Sequence, residues 1–251
     1  VAWNRAKLLA GCLDGIAAQT RRPDAVIVVD NASTDDSASI AAAHPVVSQV
    51  IRLTRNTGGA GGFATGIAVA VARQDADWVW IMDDDTVPTP TALAELLDAQ
   101  RRWPRRRQLN LLASRADWID GREHPMNTPR TRLDTTPLQR AAAASLGVRP
   151  IRSASFVSIL LRADAIRDAG LPRADFFLWN DDFEYTARLL RQGVGLYVPA
   201  SRVRHLTTTF GDSRADPGPR FYNEVRNKGW MFTRSDALSG WERSLYGAST
   251  L

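Results

Sequence analysis

Three observations along the 251 residues predict an α/β fold built on one central sheet. Short, continuous apolar runs rich in β-branched residues alternate with stretches where apolar residues recur every three or four positions. The runs are bounded by Pro, Gly or Asp, as expected of strands buried on both faces. Polar clusters follow the strands: Asp30-Asn31, Arg55-Asn56 and Asp83-Asp84-Asp85. Open α/β sheets bind ligands beyond the carboxyl ends of their strands, so the three clusters converge on one edge.

Taken in order, Leu8, Leu9, Cys12, Leu13 and Ile16 recur at helical spacing. Ala25 to Val29 reads as a buried parallel strand, Asp35 to Ala43 as a helix, and Val50 to Leu53 as the next strand. A small-residue helix is expected from Gly62 to Arg73, then a strand from Trp78 to Met82. Thr89-Pro90 offers an N-cap and first-turn proline for a helix through Leu93, Leu96 and Leu97. Residues 115–150 carry Pro, Arg and Thr with little periodicity and read as a long surface excursion, which in a compact domain is often functional. Phe156 to Leu161 and Val194 to Val198 read as strands, with a helix from Phe183 to Gln192 closed by Gly193. The tail from Arg220 to Tyr246 is aromatic, basic and helical in pattern.

Composition bounds the function. Hydrophobic residues at 44% and charged residues at 24% exclude wholesale disorder, collagen and coiled coil. No apolar run approaches the roughly 20 residues that span a bilayer. A single cysteine, Cys12, excludes an internal disulfide and multi-cysteine zinc sites, and fits a reducing compartment. The sequence opens in mid-element with no secretory signal, so residues before Val1 are expected. The net charge of +5 favours anionic partners. The basic run Arg101 to Arg107 reads as a solvated helix end, with contact to lipid headgroups or a phosphorylated acceptor as the functional alternative.

Four constellations carry chemistry. Asp83, Asp84 and Asp85 repel one another at a strand end unless a cation neutralises them, and alternate residues place Asp83 and Asp85 on one side. An acidic turn is the bland reading. Asn56-Thr57-Gly58-Gly59-Ala60-Gly61-Gly62-Phe63 lets backbone approach a ligand closely, although a tight turn needs only one or two glycines. Trp179-Asn180-Asp181-Asp182 supplies a second acidic pair at a helix start, suited to general base or to capping. His205 is either a structural residue or a third metal ligand.

In this order the motifs resemble the inverting glycosyltransferases of family 2, which have the GT-A fold. Val1-Ala2-Trp3-Asn4-Arg5 resembles the end of that family's first strand, often V-T-Y-N-R, with Ala2 and Trp3 departing from it. Val28-Val29-Asp30-Asn31-Ala32-Ser33-Thr34-Asp35 matches the nucleotide-binding V-V-D-N-x-S-T-D, and Asp83-Asp84-Asp85 stands where the D-x-D motif belongs. Within the family, Asn56 to Phe63 and the segment Arg220-Phe221-Tyr222 to Arg226-Asn227 are most similar to actinobacterial galactofuranosyltransferases, in particular those that initiate cell-wall galactan.

The resemblance implies a Rossmann-like GT-A domain over 1–215 with a mixed, mainly parallel central sheet. Residues 1–110 would bind the nucleotide-sugar and 111–215 the acceptor. Residues 216–251 would form a helical segment for membrane or oligomer contact. It implies transfer of galactofuranose from UDP-galactofuranose to a polyprenyl-diphosphate-linked glycan, with Mn²⁺ or Mg²⁺, at the cytoplasmic face of the cell membrane and without nucleic acid. Ala2, Asp30, Arg55, Asn56, Gly59, Asp83 and Asp84 would line the donor, and Asp83, Asp85 and His205 would hold the cation. Asp182 would be the base, with Trp179, Asp181 and Arg226 on the acceptor. The alternatives are a rhamnosyl- or other hexosyltransferase of the same family using a dTDP- or UDP-sugar, a nucleotidyltransferase, and a non-catalytic basic binding protein.

Overall fold

The computed structural model describes residues 1–208, 210 and 218–248. The first half alternates α1 (Ala6–Ala17), β1 (Ile27–Asp30), α2 (Ser37–Ala43), β2 (Gln49–Arg52), α3 (Gly58–Arg73), β3 (Trp78–Met82), β4 (Thr86–Pro88) and α4 (Ala92–Arg102). The second half runs β5 (Leu109–Asp117), β6 (Arg130–Thr131), α5 (Pro137–Ser145), β7 (Arg149–Ser153), β8 (Ser158–Arg162), α6 (Ala163–Ala169), α7 (Asp181–Leu189), β9 (Val194–His205), α8 (Phe221–Arg234) and α9 (Gly240–Ala248).

Strands β3, β8, β5, β9, β7 and β6 lie side by side in that order, with β4 also pairing β9. Side-chain alternation along these strands sorts the core into two layers. Val79, Ile81, Leu111, Ile159 and Leu161 face Phe63 and Ile67 of α3, Ile166 of α6 and Tyr185 and Leu189 of α7. Their neighbours Leu112 and Leu160 face the other way, onto Leu93 and Leu96 of α4 and Ala143 of α5. Helices therefore cover both faces. Strands β1 and β2 pair in parallel apart from this sheet, and Ala2 adds a parallel bridge to Asp30.

The sheet is mixed, as expected, but antiparallel pairings dominate it. Only β5–β9 is parallel within the larger sheet, because β8 and β7 return beside their partners. The glycine run is not a loop: α3 starts at Gly58, so the glycines form its first turn. The N-cap position of α4 is Thr91, without a side-chain capping bond, rather than Thr89, whose hydroxyl instead donates to the Arg202 carbonyl. Residues 115–150 are more regular than expected. They hold the end of β5, the short β6, the first residues of β7, and α5 with a full capping box between Thr136 and Gln139.

Helix α7 spans Asp181–Leu189 and its C-cap is Leu190, so Gly193 does not close it. Gly193 leaves room for the Asn110 amide, which donates to the Leu189 carbonyl at the helix end. Strand β9 is twelve residues long, so His205 is its last residue rather than one beyond it. The expected boundary at 215/216 lies outside the described residues. Helices α8 and α9 are nonetheless fastened to the body. Arg152 and Glu242 form a buried ion pair, and Arg152 also donates to the Ala187 and Ala237 carbonyls. Among the described residues no helix is long and apolar enough to cross a membrane.

Candidate active site

Strand β3 ends at Met82 and the chain turns through the aspartates into β4. Strand β4 runs antiparallel to the end of β9, pairing Thr86 with His205. The Leu206 N–H donates to the Asp85 carbonyl at 2.9 Å. This ladder brings one ligand atom each of Asp83, Asp85 and His205 within 4.8 Å of one another. His205 Nε2 lies 3.2 Å from Asp85 Oδ1, and that buried oxygen has no hydrogen-bond partner. The other His205 nitrogen, Nδ1, sits 2.8 Å from Asn127 Oδ1. An amide oxygen can only accept, so Nδ1 donates to Asn127, and Nε2 faces the carboxylates. Two carboxylates and an imidazole nitrogen around a buried oxygen with no hydrogen-bond partner could hold a divalent cation.

The electrostatics agree. Burial, then the neighbouring Asp85 charge, pushes Asp83 up to about 6. Burial also pushes Asp84 up to about 6, against Arg5. For Asp85 burial acts upward too, but His205 and Arg5 outweigh it and hold the carboxyl below its usual range. Arg5 pairs with Asp85 and lies 3.6 Å from Asp84, whose Oδ2 accepts from the Trp3 N–H at 3.2 Å. Arg5 supplies part of the positive charge the triplet requires.

On the β1 side, Asp30 is fully buried. Its Oδ1 accepts from the Ser33 N–H, while Oδ2 has no hydrogen-bond partner and only Arg52 Nε at 3.3 Å. Ala2 commits its N–H to Val29 and its carbonyl to Asn31, leaving the carbonyl's second lone pair for a ligand. Ser33, Thr34 and Asp35 of the same motif build the loop: Ser33 accepts from Asn4, Asn4 accepts from Thr34, and Asp35 accepts from the Ala6 N–H at the start of α1.

Asn31 organises the next wall. Its Nδ2 donates to Asn56 Oδ1 and the Gly58 carbonyl, and its Oδ1 accepts from the Thr57 N–H and hydroxyl. Asn56 Oδ1 in turn accepts from the Gly58 N–H at 2.8 Å. Arg55 is exposed beside it. A Cβ on Gly59 would stand 3.9 Å from Asp181 Oδ2, so the first turn of α3 faces the second acidic pair.

Asp181 and Asp182 open α7 after a strained loop. Phe177, Trp179 and Asn180 all have positive φ, at 62°, 67° and 60°. For Phe and Trp this costs on the order of 1–3 kcal/mol each. The Leu178 N–H closes a tight turn onto the Phe176 carbonyl at 2.7 Å. Burial, then Asp182, pushes Asp181 well above the usual carboxylate range, and the Asp83 charge adds to this. Burial pushes Asp182 up to about 6; the Phe183 N–H opposes it, Glu224 reinforces it and Arg130 opposes it. Trp179 is half-buried at the same loop.

The structure thus gathers Asp83, Asp84, Asp85, His205, Gly59 and Asp181 at one sheet edge, with Ala2, Asp30 and Asn56 on the β1 side. Arg226 has another setting: its guanidinium donates to the Phe176 and Asp175 carbonyls and to Asn227 Oδ1, over the Trp230 ring at 4.5 Å. Sequence reasoning missed Arg5, Asn31 and Asn127 as members of the site. Arg5 and Asn31 lie inside motifs already singled out, whereas Asn127 sits where no periodicity points to it.

Comparison with known proteins adds an independent line. Residues 1–106 match the profile described as "Glycosyl transferase family 2". The chain is 32% identical to galactofuranosyltransferase GlfT1 of Mycobacterium tuberculosis, over 93% of this chain and 81% of that protein. To GlfT1 of Mycolicibacterium smegmatis it is 32% identical, over 77% of this chain and 65% of that protein. An N-acetylglucosaminyl-diphospho-decaprenol L-rhamnosyltransferase of M. tuberculosis is 26% identical over 92% of this chain and 81% of that protein. The fold matches that of S. aureus TarS in complex with UDP, with a TM-score of 0.66 at 16% identity, covering 96% of this chain and 66% of that one.

Proposed function

We propose a specific reaction for this chain, which belongs to glycosyltransferase family 2: transfer of galactofuranose from UDP-galactofuranose to a hydroxyl of a polyprenyl-diphosphate-linked glycan, with inversion, in cell-wall polysaccharide synthesis. Family membership sets aside the nucleotidyltransferase and the non-catalytic binding protein. The observation that carries the proposal is the grouping of Asp83, Asp85 and His205, with Asp181 near enough for the Asp83 charge to act on it.

Asp30 accepts from the uracil N–H through its unpartnered Oδ2, with the Ala2 carbonyl alongside. Arg55, Asn56 and Gly59 line the nucleotide-sugar, and Asp84 sits near ribose or sugar. Asp83, Asp85 and His205 would hold a divalent cation. That ion supplies charge neutralisation for a diphosphate and its departure as UDP. Asp182 takes the proton from the acceptor hydroxyl as it attacks the anomeric carbon in line; the bond to UDP breaks on the opposite face, and the configuration inverts. A base near pH 6 is matched to this task, because it is charged at neutral pH yet still accepts a proton. Trp179 offers a flat face to an acceptor sugar, and Asp181 and Arg226 complete the acceptor side.

The ranking of relatives favours galactofuranose over rhamnose. The lipid named in the rhamnosyltransferase relative supports an acceptor carried on a polyprenyl chain. Exposed Phe221, Tyr222 and Val225 on α8 and Trp241 and Leu245 on α9 support peripheral contact with the membrane that carries it. On this reading residues 1–110 form the nucleotide-sugar-binding half and 111–215 the acceptor-binding half.

The test is a panel of UDP- and dTDP-sugars with a synthetic polyprenyl-diphosphate disaccharide. Transfer from UDP-galactofuranose, abolished by chelator and restored by Mn²⁺, is expected. Transfer only from dTDP-rhamnose would install the second reading, which the 26% identical rhamnosyltransferase favours.

A further inference from the structure

The segment from Phe176 to Asn180 is held from two sides. On one side the Ala60 N–H, in the first turn of α3, donates to the Phe177 carbonyl at 3.1 Å. On the other side stands α8. Asn227 is fully buried there, and its Nδ2 reaches three carbonyls: Phe176 at 2.8 Å, Leu178 at 2.9 Å and Trp179 at 2.7 Å. Its Oδ1 accepts from Arg226 Nε at 2.9 Å, and Arg226 Nη2 adds a bond to the Phe176 carbonyl. One turn earlier, Glu224 accepts from Asn180 Nδ2 at 2.7 Å and is paired with Lys228 at 2.8 Å.

These contacts fall on a strained backbone. Phe177 and Trp179 occupy left-handed conformations that side chains disfavour, and such strain persists only where surroundings over-determine it. Asn180 ends the segment and is the N-cap residue of α7. The direction of the first turn of α7, and so of Asp182, is set by where this loop is pinned.

We propose that Asn227 is a positioning residue of the transfer reaction: its side-chain amide locks the strained loop before α7 so that Asp182 meets the acceptor hydroxyl with Trp179 beside it. This rests on the assignment of Asp182 as base. Arg226 adds to this lock by orienting the Asn227 amide.

The experiment pairs steady-state kinetics with hydrogen exchange on the full chain. Asn227→Ala is expected to lower kcat about 100-fold, the cost of displacing a reacting group by about an ångström, with donor KM within about twofold. Asn227→Asp keeps the shape but turns an acceptor toward three carbonyls, and is expected to lose as much. Asn227→Ser keeps one donor and is expected to recover part of the rate. At a temperature where all three variants are native, amides 177–183 are expected to exchange at least about 10-fold faster in Asn227→Ala than in the parent. Faster exchange with unchanged kcat would overturn the positioning role, and lower kcat with unchanged exchange would overturn the clamp. The exchange measurement needs no substrate. A parent chain inactive with every nucleotide-sugar would therefore defeat the proposed function while the clamp is still decided.

Discussion

Thr86 and His205, far apart in sequence, pair directly across the β4–β9 ladder, and the residue before Thr86 is Asp85. A metal-competent group is therefore assembled by backbone hydrogen bonds, with Asn127 holding the imidazole from the far side. Loss of an outer-shell partner usually costs about 10–100-fold in metal affinity. Asn127→Ala is expected to weaken Mn²⁺ binding in the presence of UDP by that amount, and His205→Ala by at least as much. Titration calorimetry with Mn²⁺ checks both, and unchanged affinity in His205→Ala would remove His205 from the ligand set.

As the proposed base, Asp182 would give the reaction a pH dependence with a definite sign. A general base works deprotonated, and burial pushes this one up to about 6. Transfer is expected to fall about tenfold per unit as pH drops below that value. Glu224 contributes to the elevation, whereas the Phe183 N–H and Arg130 act against it. Replacing Glu224 with Gln removes a negative charge, so the acid limb of the kcat profile is expected to move to lower pH. Asp182→Asn removes the base and is expected to cost about 10²–10⁴-fold in kcat while UDP affinity is kept. Near-parental transfer by a folded Asp182→Asn would falsify the assignment.

How much of this was legible beforehand divides along physical lines. Strands β1 and β3 were readable as continuous, largely buried apolar runs and β2 as a partly buried one, whereas the three-residue β4 was not read at all. Trp78 to Met82 has the expected limits, and the polar clusters at strand ends fell on the expected edge. Strand β5 was not readable as a unit: Asn110, Ser114 and Arg115 interrupt its apolar pattern. Asn110 is there to cap α7, and Ser114 to bond Ser158 and Ser201. Helix α5 carried a visible signal in its Thr-Pro-x-Gln start, overshadowed by the surrounding Arg and Thr. The roles of Asn127 and Asn227 depend on contacts across about 50 to 80 residues, for which no local periodicity exists.

The Arg152–Glu242 pair makes α9 part of the domain. Both groups are buried, and Glu242 also accepts from the Ser239 N–H and hydroxyl. Burial acts upward on its carboxyl, but Arg152 and Ser239 outweigh it and bring it down to about 2. Its contribution to stability is therefore present above its unfolded value near 4.5 and lost as pH falls through about 2. Removing one partner of a buried pair strands the other charge and typically costs about 3–5 kcal/mol. Glu242→Ala is expected to destabilise the chain by that amount at neutral pH in urea denaturation. A change below about 1 kcal/mol would show that α9 is only loosely attached.

Gly58 and Gly59 are adjacent, yet their replacement should have different consequences. Gly58 has φ +70°, and a Cβ there would run into the Phe177 carbonyl. That backbone is fixed by the Ala60 N–H and by α8, so it cannot yield cheaply. Gly58→Ala is expected to cost about 1–3 kcal/mol of stability and to loosen the loop before α7. At Gly59 the nearest atom to a Cβ is Asp181 Oδ2 at 3.9 Å, an ordinary contact. Gly59→Ala should therefore fold with parental stability. Its methyl group would fill space between α3 and the acidic pair, where the donor sugar is placed, so donor KM should rise while Tm stays constant. Thermal unfolding and donor kinetics on the two variants separate the effects. A stable Gly58→Ala, or a Gly59→Ala with unchanged donor KM, would mean that the first turn of α3 does not wall the site as described.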